Sequence, residues 1–415
     1  MKILWVKAGG LVPPDTGGKI RSFNILRHLA KNHEVTFFSF YGAHENDIHE
    51  QLRQLFKRVI LVPLDLPPPK GAGELLDYLA HLFSREPYNL TKYCRPLVRK
   101  RLLDLLEEEK YDVILCDLLV TAGVIPWDWP CPKVLFSHNV EAVIWKRHYE
   151  VARNPLWKAL SRHEWRRMAL AEERYLRKAD HVVVVSENDR EALAKFLDPQ
   201  KLTVIQTGVD LDFFEPQGET EIPHSLVFTG SMDWLPNEDG IVYFANEIFP
   251  LILAKVPDAT LCVVGRKPSR LLQDLAARVP NIELTGWVED VRPYVAQRAV
   301  FIVPLRIGGG TRLKIFEAMG MAKAVVSTSI GAEGLPVRDQ EHILLADDAR
   351  SFAESTVRLL RNPSARAQIG EAARRLVEKN YSWDTVSESF AQVLERVAEP
   401  LASGGRRSER SPLNE

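Results

Sequence analysis

The sequence predicts an α/β protein with two doubly wound domains, each a parallel sheet packed between helices. Three observations predict this fold class. Apolar runs of strand length alternate with segments of helical length through nearly the whole chain, as in right-handed βαβ units. The 415 residues exceed one ordinary core. Near the middle, from Asp212 to His224, a stretch rich in Pro, Gly and polar residues interrupts the alternation and indicates a domain boundary.

Apolar runs in the first half of the chain predict seven strands. In chain order they are Ile3 to Val6, Val35 to Phe40, Val59 to Val62, Val113 to Cys116, Val134 to Phe136, His181 to Val185 and Leu202 to Ile205. After the first strand, Phe23, Leu26 and Leu29 form the apolar stripe of a predicted helix.

The second half predicts six further strands and a last helix. The strands are Leu226 to Thr229, Thr260 to Val264, Ile282 to Leu284, Val300 to Val303, Ala324 to Val326 and Ile343 to Leu345. Apolar residues at helical spacing predict the last helix from Asp384 to Val397. We therefore expect a first domain over 1–211, a second over 212–381, a helix over 382–400, and a disordered tail over 401–415, which is rich in Ser, Gly and Arg.

Composition limits the possible functions. Lys and Arg together number 54 against 55 Asp and Glu, so the net charge of -1 gives no support for a nucleic-acid partner. The four cysteines are scattered without a Cys-x-x-Cys pair, which predicts free thiols in a reducing compartment and no metal site. The N-terminal apolar run is too short for a signal peptide, and no stretch approaches the roughly 18 apolar residues of a membrane span. These features predict a cytoplasmic protein.

The most informative motif lies between Val303 and Thr328. A buried strand runs into Gly308, Gly309 and Gly310, and a helix is expected to follow; Thr311, Arg312, Lys314 and Glu317 stand in its first two turns. Glycine amides, a helix N-terminus and two cations together suit a diphosphate. The carboxylate one turn further on suits a ribose diol. The alternative is a tight structural connection; the P-loop and dinucleotide fingerprints are both absent from this stretch.

Further candidates follow other predicted strands. Gly17 and Gly18 stand at the entrance of the first helix, and His138 follows the fifth strand. Each has a structural alternative, a turn for the glycines and a histidine satisfied by backbone for His138. In the second half the candidates for nucleotide binding are Gly230, Ser231, Arg266, Trp287 and Val288, and solvated surface charge is the alternative for Arg266. Because ligands bind beyond the carboxyl ends of parallel strands, we expect the two domains to face each other across a cleft lined by these loops.

Together these motifs resemble the retaining nucleotide-sugar glycosyltransferases of the GT-B fold, a group that includes bacterial polysaccharide and lipid-linked sugar transferases. The resemblance extends over nearly the whole chain, from the double-glycine loop to Tyr381-Ser382-Trp383. It implies that the helix over 382–400 crosses back to complete the first domain. It also implies transfer of a sugar from a nucleotide diphosphate sugar to a hydroxyl, with retention. The residues of the predicted cleft loops require no metal ion, and no other cofactor is expected.

The resemblance implies roles for individual residues, and this sequence matches the family pattern at some positions and departs from it at others. Glu317 matches the second glutamate of the family's Glu-x7-Glu motif, whereas the first falls on Gly309. The family's phosphate-binding Arg and Lys fall near Ser231 and Asn237, so the diphosphate is assigned to Arg312 and Lys314, with Arg266 as a helper. The histidine that faces the donor sugar in the family matches His138.

Two other activities remain open from the sequence: a nucleotide-sugar epimerase of the same fold, and a non-catalytic nucleotide-sugar-binding protein suggested by Gly309. The acceptor class is a glycan, a lipid-linked molecule or a small molecule. From Trp157 to Lys178 a predicted helix carries seven Lys or Arg against three Glu, with apolar residues interleaved. This pattern predicts peripheral contact with the inner face of an anionic membrane; a solvated, partly packed helix is the alternative.

Overall fold

A computed structural model describes residues 1–14, 16–42, 47–67, 71–152, 154–307 and 313–399. Two parallel sheets organise it, and each predicted apolar run overlaps one of their strands. The expected fold class of two doubly wound α/β domains is therefore confirmed. The tail predicted over 401–415 lies outside the described residues.

The first half of the chain alternates strands and helices as the sequence predicts. Its elements are β1 (Lys2–Ala8), α1 (Gly17–Asn32), β2 (Glu34–Tyr41), α2 (Asp47–Leu55), β3 (Arg58–Pro63), α3 (Ala72–Ala80), α4 (Tyr88–Thr91), α5 (Pro96–Glu108), β4 (Val113–Asp117), β5 (Lys133–Phe136), α6 (Glu141–Val151), α7 (Pro155–Lys178), β6 (His181–Val184), α8 (Glu187–Ala194) and β7 (Leu202–Val204).

The second half repeats the alternation and ends in helices. Its elements are β8 (Ile222–Thr229), α9 (Leu235–Tyr243), α10 (Phe249–Leu253), β9 (Thr260–Val264), α11 (Arg270–Arg278), β10 (Ile282–Gly286), α12 (Arg292–Ala296), β11 (Arg298–Val303), α13 (Leu313–Gly320), β12 (Val325–Ser327), β13 (Leu344–Leu345), α14 (Ala349–Arg361), α15 (Pro363–Asn380) and α16 (Trp383–Ala398). A π-helical turn, Phe244–Ile248, links α9 to α10.

The chain separates into two compact units. Unit 1 comprises Met1–Val184, Asp189–Val204 and the described residues from Ser387 onward, and unit 2 comprises Val185–Asn188 and Ile205–Val386. The sheet of unit 1 has the order β3-β2-β1-β4-β5-β6-β7, and that of unit 2 has the order β10-β9-β8-β11-β12-β13. All pairings are parallel, so the carboxyl ends of the strands lie along one edge of each sheet.

Each unit has its own apolar core. In unit 1, Phe390 of α16 packs against two aromatic side chains of the sheet, with ring centroids 5.8 Å from Trp5 and 4.9 Å from Phe136. In unit 2, Phe228, Phe244, Phe249, Phe301 and Phe316 are fully buried. The C-terminal helix therefore contributes core residues to the unit that contains the N-terminus, as the sequence resemblance implies.

Strand order creates one switch point in each sheet. In unit 2 successive strands run outward from β8 in one direction and from β11 in the other, so the crevice lies between these two strands. In unit 1 the equivalent crevice lies between β1 and β4. Loops at the carboxyl side of a switch point diverge and leave room for a ligand.

Candidate functional site

The crevice of unit 2 is built around two glycines that allow close backbone approach. A Cβ on Gly265, after β9, would lie 1.7 Å from the carbonyl oxygen of Gly230, after β8. A Cβ on Gly230, whose φ is +154°, would lie 2.7 Å from Lys314 Nζ. The backbone contact at Gly265 excludes a side chain there, and the positive φ of Gly230 disfavours one, so the two glycines bring the loops after β8 and β9 against each other.

Two cations converge on the loop after β8. The Nε of Arg266 donates to Ser231 Oγ at 2.9 Å, and Lys314 Nζ donates to Asn237 Oδ1 at 2.9 Å. The Asn237 amide in turn donates to the Ser231 carbonyl at 2.8 Å, which joins the two contacts into one network. Lys314 Nζ also lies 4.0 Å from the centre of the Phe228 ring, so a buried aromatic face supports its charge.

The other residues predicted for unit 2 lie on α13, after β10 or outside the described part of the chain. Lys314 and Glu317 stand in the first turns of α13, where burial raises the pKa of Glu317 to about 7 while Lys314 opposes the rise. Trp287 follows β10 with 72% of its surface exposed, and Val288 beside it is half-buried. The predicted residues Gly308, Gly309, Gly310, Thr311 and Arg312 lie outside the described residues.

The crevice of unit 1 contains a buried ion pair that the sequence did not predict. Lys7 is the penultimate residue of β1 and Asp117 is the last of β4, and Lys7 Nζ lies 2.9 Å from Asp117 Oδ2 with both side chains almost fully buried. The same oxygen accepts from Ser22 Oγ at 2.6 Å and from Trp5 Nε1 at 3.0 Å. Burial alone would raise the pKa of Asp117, but Lys7, His138 and Ser22 together hold it well below its ordinary value.

His138 lies beside this ion pair and is itself buried. Its Nε2 is 2.9 Å from Asp117 Oδ1, yet the geometry is not that of an aligned hydrogen bond, and neither ring nitrogen nor Asp117 Oδ1 has a hydrogen-bond partner among the described residues. Burial lowers the pKa of His138 to about 4, and the negative charge of Asp117 opposes this only in part. The imidazole is therefore neutral at physiological pH and has capacity to bond a ligand.

The predicted glycines of unit 1 lie at the start of α1. Gly17 is the first residue of the helix, and a Cβ on Gly18 would lie 3.4 Å from His138 Nδ1. Arg21, one turn further on, is 3% exposed, and burial lowers its pKa to about 10, although Asp117 raises it. The amino end of α1 and the imidazole thus form one polar surface at the switch point.

Lys7 and Asp117 were not among the residues predicted from the sequence, and Asn237 appeared there only as a position that lacks the family's charge. A signal was available for the first two, since each is a charged residue at the carboxyl end of an otherwise apolar strand run. Asn237 carried no such signal, because only the folded loop brings its amide between Ser231 and Lys314.

In the described parts of the chain, no group of three or more His, Cys, Asp or Glu side chains is arranged to hold a metal ion. None of the described helices combines the length and the apolar character needed to cross a membrane.

Two family models match this chain and together span most of it. Residues 16–213 match the model described as Glycosyltransferase Family 4, and residues 223–362 match the model described as Glycosyl transferases group 1.

Among curated proteins, a 44.6 kDa protein in the cps region of Klebsiella pneumoniae is 23% identical over 94% of this chain and 98% of its own length. A GDP-mannose-dependent monoacylated alpha-(1-6)-phosphatidylinositol monomannoside mannosyltransferase of Corynebacterium glutamicum is 29% identical, over 35% of this chain and 41% of its own.

Solved structures show the same fold over most of the chain. Sucrose-phosphate synthase from Thermosynechococcus elongatus superposes with a TM-score of 0.69 at 17% identity, covering 95% of this chain and 98% of its own. Anabaena HepE in complex with UDP-glucose superposes with a TM-score of 0.66 at 14% identity, covering 95% of this chain and 100% of its own. The GT-B fold expected from the sequence is therefore confirmed.

Proposed function

Because this chain belongs to the nucleotide-sugar glycosyltransferases of group 1 and family 4, a retaining family, we propose that it transfers a sugar to a hydroxyl of a glycan, lipid-linked or small-molecule acceptor without a metal ion. The donor is a nucleotide diphosphate sugar, and we assign its diphosphate to the crevice between β8 and β11.

One observation carries the assignment of the diphosphate. The family's phosphate-binding Arg and Lys fall near Ser231 and Asn237 in this sequence, where neither side chain is charged. In the structure, Arg266 contacts Ser231 and Lys314 contacts Asn237. Two cations, one from the loop after β9 and one from α13, thus reach the positions that lack charge in the sequence, and this supports a diphosphate site with two positive charges.

The chemistry follows from the charge that develops on the leaving group. As the bond from the anomeric carbon to the diphosphate breaks, negative charge accumulates on the diphosphate oxygens, and the guanidinium of Arg266 and the ammonium of Lys314 stabilise it. Each charge-assisted hydrogen bond contributes about 1.5–3 kcal/mol. Arg312 and the amides of Gly308 to Thr311 remain predicted contributors to the same site.

Two further contacts bind the nucleoside. The carboxylate of Glu317 accepts hydrogen bonds from the ribose hydroxyls, and its position in the second turn of α13 supports this role, one turn beyond Lys314. The exposed indole of Trp287 and the neighbouring Val288 offer apolar surface for the base.

In unit 1, His138 binds a sugar hydroxyl. Its Nδ1, which has no hydrogen-bond partner among the described residues, and its neutral state support a bond with a hydroxyl, which can both donate and accept, while Nε2 lies against Asp117. The amino end of α1 at Gly17 and Gly18 contributes backbone donors beside it. The proposed location is the cytoplasm, supported by four unpaired cysteines.

A donor panel tests the proposal. The protein is incubated with individual nucleotide sugars, with and without candidate acceptors, and release of the nucleoside diphosphate is measured. Acceptor-dependent release with a retained anomeric centre, read by NMR, supports transfer. Acceptor-free isomerisation of the donor would instead identify an epimerase, and binding without either reaction would identify a sensor.

The Arg266→Ala/Lys314→Ala variant tests the assigned cations. We expect a loss of at least a hundredfold in kcat/KM, equivalent to about 2.7 kcal/mol, with an unchanged fold. Lys267→Ala is the matched control, because Lys267 neighbours Arg266 but pairs with Asp233 at 3.3 Å. Equal activity in the double variant and the control would refute the assignment.

A further inference from the structure

Helix α3 and the turn after it expose an unusual amount of apolar surface. None of the nine residues of α3 is buried. Leu75, Leu76 and Leu79 are 60%, 67% and 51% exposed, and Phe83 in the following turn is 94% exposed. Large apolar side chains grouped in this way on a soluble unit indicate an interaction surface.

Polar contacts, rather than these apolar side chains, hold α3 on unit 1. Tyr78 OH donates to Glu164 of α7 at 3.2 Å, and Arg95 pairs with Asp77 at 3.3 Å. In the turn, the guanidinium of Arg167 donates to the carbonyl oxygens of His81 and Leu82. The exposed leucines are therefore not needed to fix the helix in place.

Unpaired cations lie beside this apolar surface. His163 of α7 contacts the Leu82 carbonyl at 3.0 Å, and Arg162 and Arg166 lie on the same stretch of α7, one helical turn apart. Leu170, 68% exposed, lies one turn beyond Arg166. Arg85 stands in the turn itself. Arg85, Arg162 and Arg166 are exposed and form no ion pair with any residue that the structure describes.

We propose that this surface docks unit 1 on an anionic lipid bilayer. We call it the α3 face, defined by Leu75, Leu76, Leu79, Phe83 and Leu170 with Arg85, Arg162 and Arg166. The apolar side chains enter the boundary between headgroups and acyl chains, while the arginines bind lipid phosphates.

The charge of the α3 face favours an anionic bilayer over a second copy of the chain as its partner. Two copies packed through the same face would bring the three unpaired arginines of each against those of the other, which is unfavourable. Of the acidic side chains at the face, Asp77 is neutralised by Arg95 and Glu86 by Arg174 at 2.6 Å, and Glu74 of α3 adds one negative charge against the three arginines. The net charge of the α3 face is therefore positive, as binding to an anionic bilayer requires.

The α3 face differs from the membrane contact that the sequence predicts over 157–178. The predicted helix is present as α7, but Met168 and Leu176 are buried in the core of unit 1. Trp165 stacks on Tyr149 with ring centroids 5.8 Å apart. In the proposed contact, α7 supplies mainly cations, and α3 supplies most of the apolar side chains.

Co-sedimentation of the full chain with vesicles tests the proposal. We compare phosphatidylcholine vesicles with vesicles that also contain phosphatidylglycerol, and expect binding to the anionic vesicles that falls with added salt. The Leu75→Gln/Leu76→Gln/Phe83→Gln variant should lose at least tenfold in partitioning. The Leu251→Gln/Leu271→Gln variant is the matched control, because these leucines of unit 2 are also 41% and 50% exposed.

Arg162→Gln/Arg166→Gln should reduce partitioning to the anionic vesicles by about fivefold per cation, and should leave binding to pure phosphatidylcholine unchanged. Circular dichroism checks that each variant is folded. Wild-type protein that stays in the supernatant, or a triple variant that binds as wild type does, would overturn the proposal. So would a wild-type dimer in analytical ultracentrifugation that the triple variant converts to monomer. None of these results depends on the donor or on transferase activity.

Discussion

Asp117→Asn tests the buried ion pair at the switch point of unit 1. The substitution keeps the shape of the side chain but removes its charge. Lys7, whose side chain is 2% exposed, would then lack a carboxylate partner and retain Ser22 Oγ at 3.3 Å. Removing one partner of a buried ion pair costs about 3–5 kcal/mol, because an uncompensated charge stays in a medium of low dielectric constant.

Two other variants separate charge from hydrogen bonding. Ser22→Ala removes a neutral donor to the same carboxylate at 2.6 Å, and should cost only about 1 kcal/mol. Lys7→Met/Asp117→Asn removes both charges, and should be less destabilising than Asp117→Asn alone. With Lys7→Met as the other single variant, the departure from additivity is the coupling energy of the pair.

Local stability is the appropriate measurement, because a chain of two units need not unfold in one step. Hydrogen–deuterium exchange of peptides from β1 and β4 reports the opening free energy of unit 1. Asp117→Asn should lower this free energy by several times the effect of Ser22→Ala. Equal effects for the two variants would refute the ion pair, because loss of the Asp117 charge would then cost no more than loss of one neutral hydrogen bond.

Three other predictions concern single residues. The pKa of His138 is lowered to about 4 from an unfolded value near 6.5, so the unfolded chain binds more protons between these values; stability should fall by up to about 3 kcal/mol as pH drops from 6.5 to 4, and His138→Asn should flatten this slope in exchange measurements. Burial raises the pKa of Glu317 to about 7, so nucleotide affinity by calorimetry should increase as pH rises through 7 in wild type and increase less in Glu317→Gln. A Cβ on Gly265 would meet backbone, whereas one on Gly218 would meet nothing within 4 Å. Gly265→Ala should therefore cost about 1–3 kcal/mol of stability and lose nucleotide affinity, and Gly218→Ala, where the φ of +63° adds backbone strain but no steric contact, should keep that affinity.

The strands were predictable because their signal is local. An apolar run such as Val113 to Cys116 must be buried whatever surrounds it, and its length is that of a strand. Chain order and the absence of short hairpin connections then favour parallel sheets. The glycines at Gly17, Gly18 and Gly230 were also visible, since loops after strands carry turn residues at fixed places.

The partners within each site were not predictable. Lys7 and Asp117 are 110 residues apart in the chain, and Lys314 and Asn237 are 77 apart. Each pair meets because β1 lies beside β4, and β8 beside β11, at the switch points of the two sheets. Strand order depends on which strands pair in space, and the local pattern of apolar residues does not specify it.

The predicted helix over 157–178 illustrates the same limit. Charge and apolar spacing over 157–178 indicated an amphipathic helix, but the sequence could not show which side of α7 would be covered by the rest of unit 1. Met168 and Leu176 point into the core, while Leu75 and Phe83, from a different part of the chain, are left at the surface.

By itself the sequence determined the two α/β halves, their strands and helices, the glycine loops and the family resemblance, because each depends on residues close together in the chain. Only the tertiary structure decided that Arg266 and Lys314 stand at Ser231 and Asn237, and that His138 is buried beside Asp117. The physical reason is that charge interactions and the cost of burial depend on distances in space and on exclusion of water, which only the packed chain establishes.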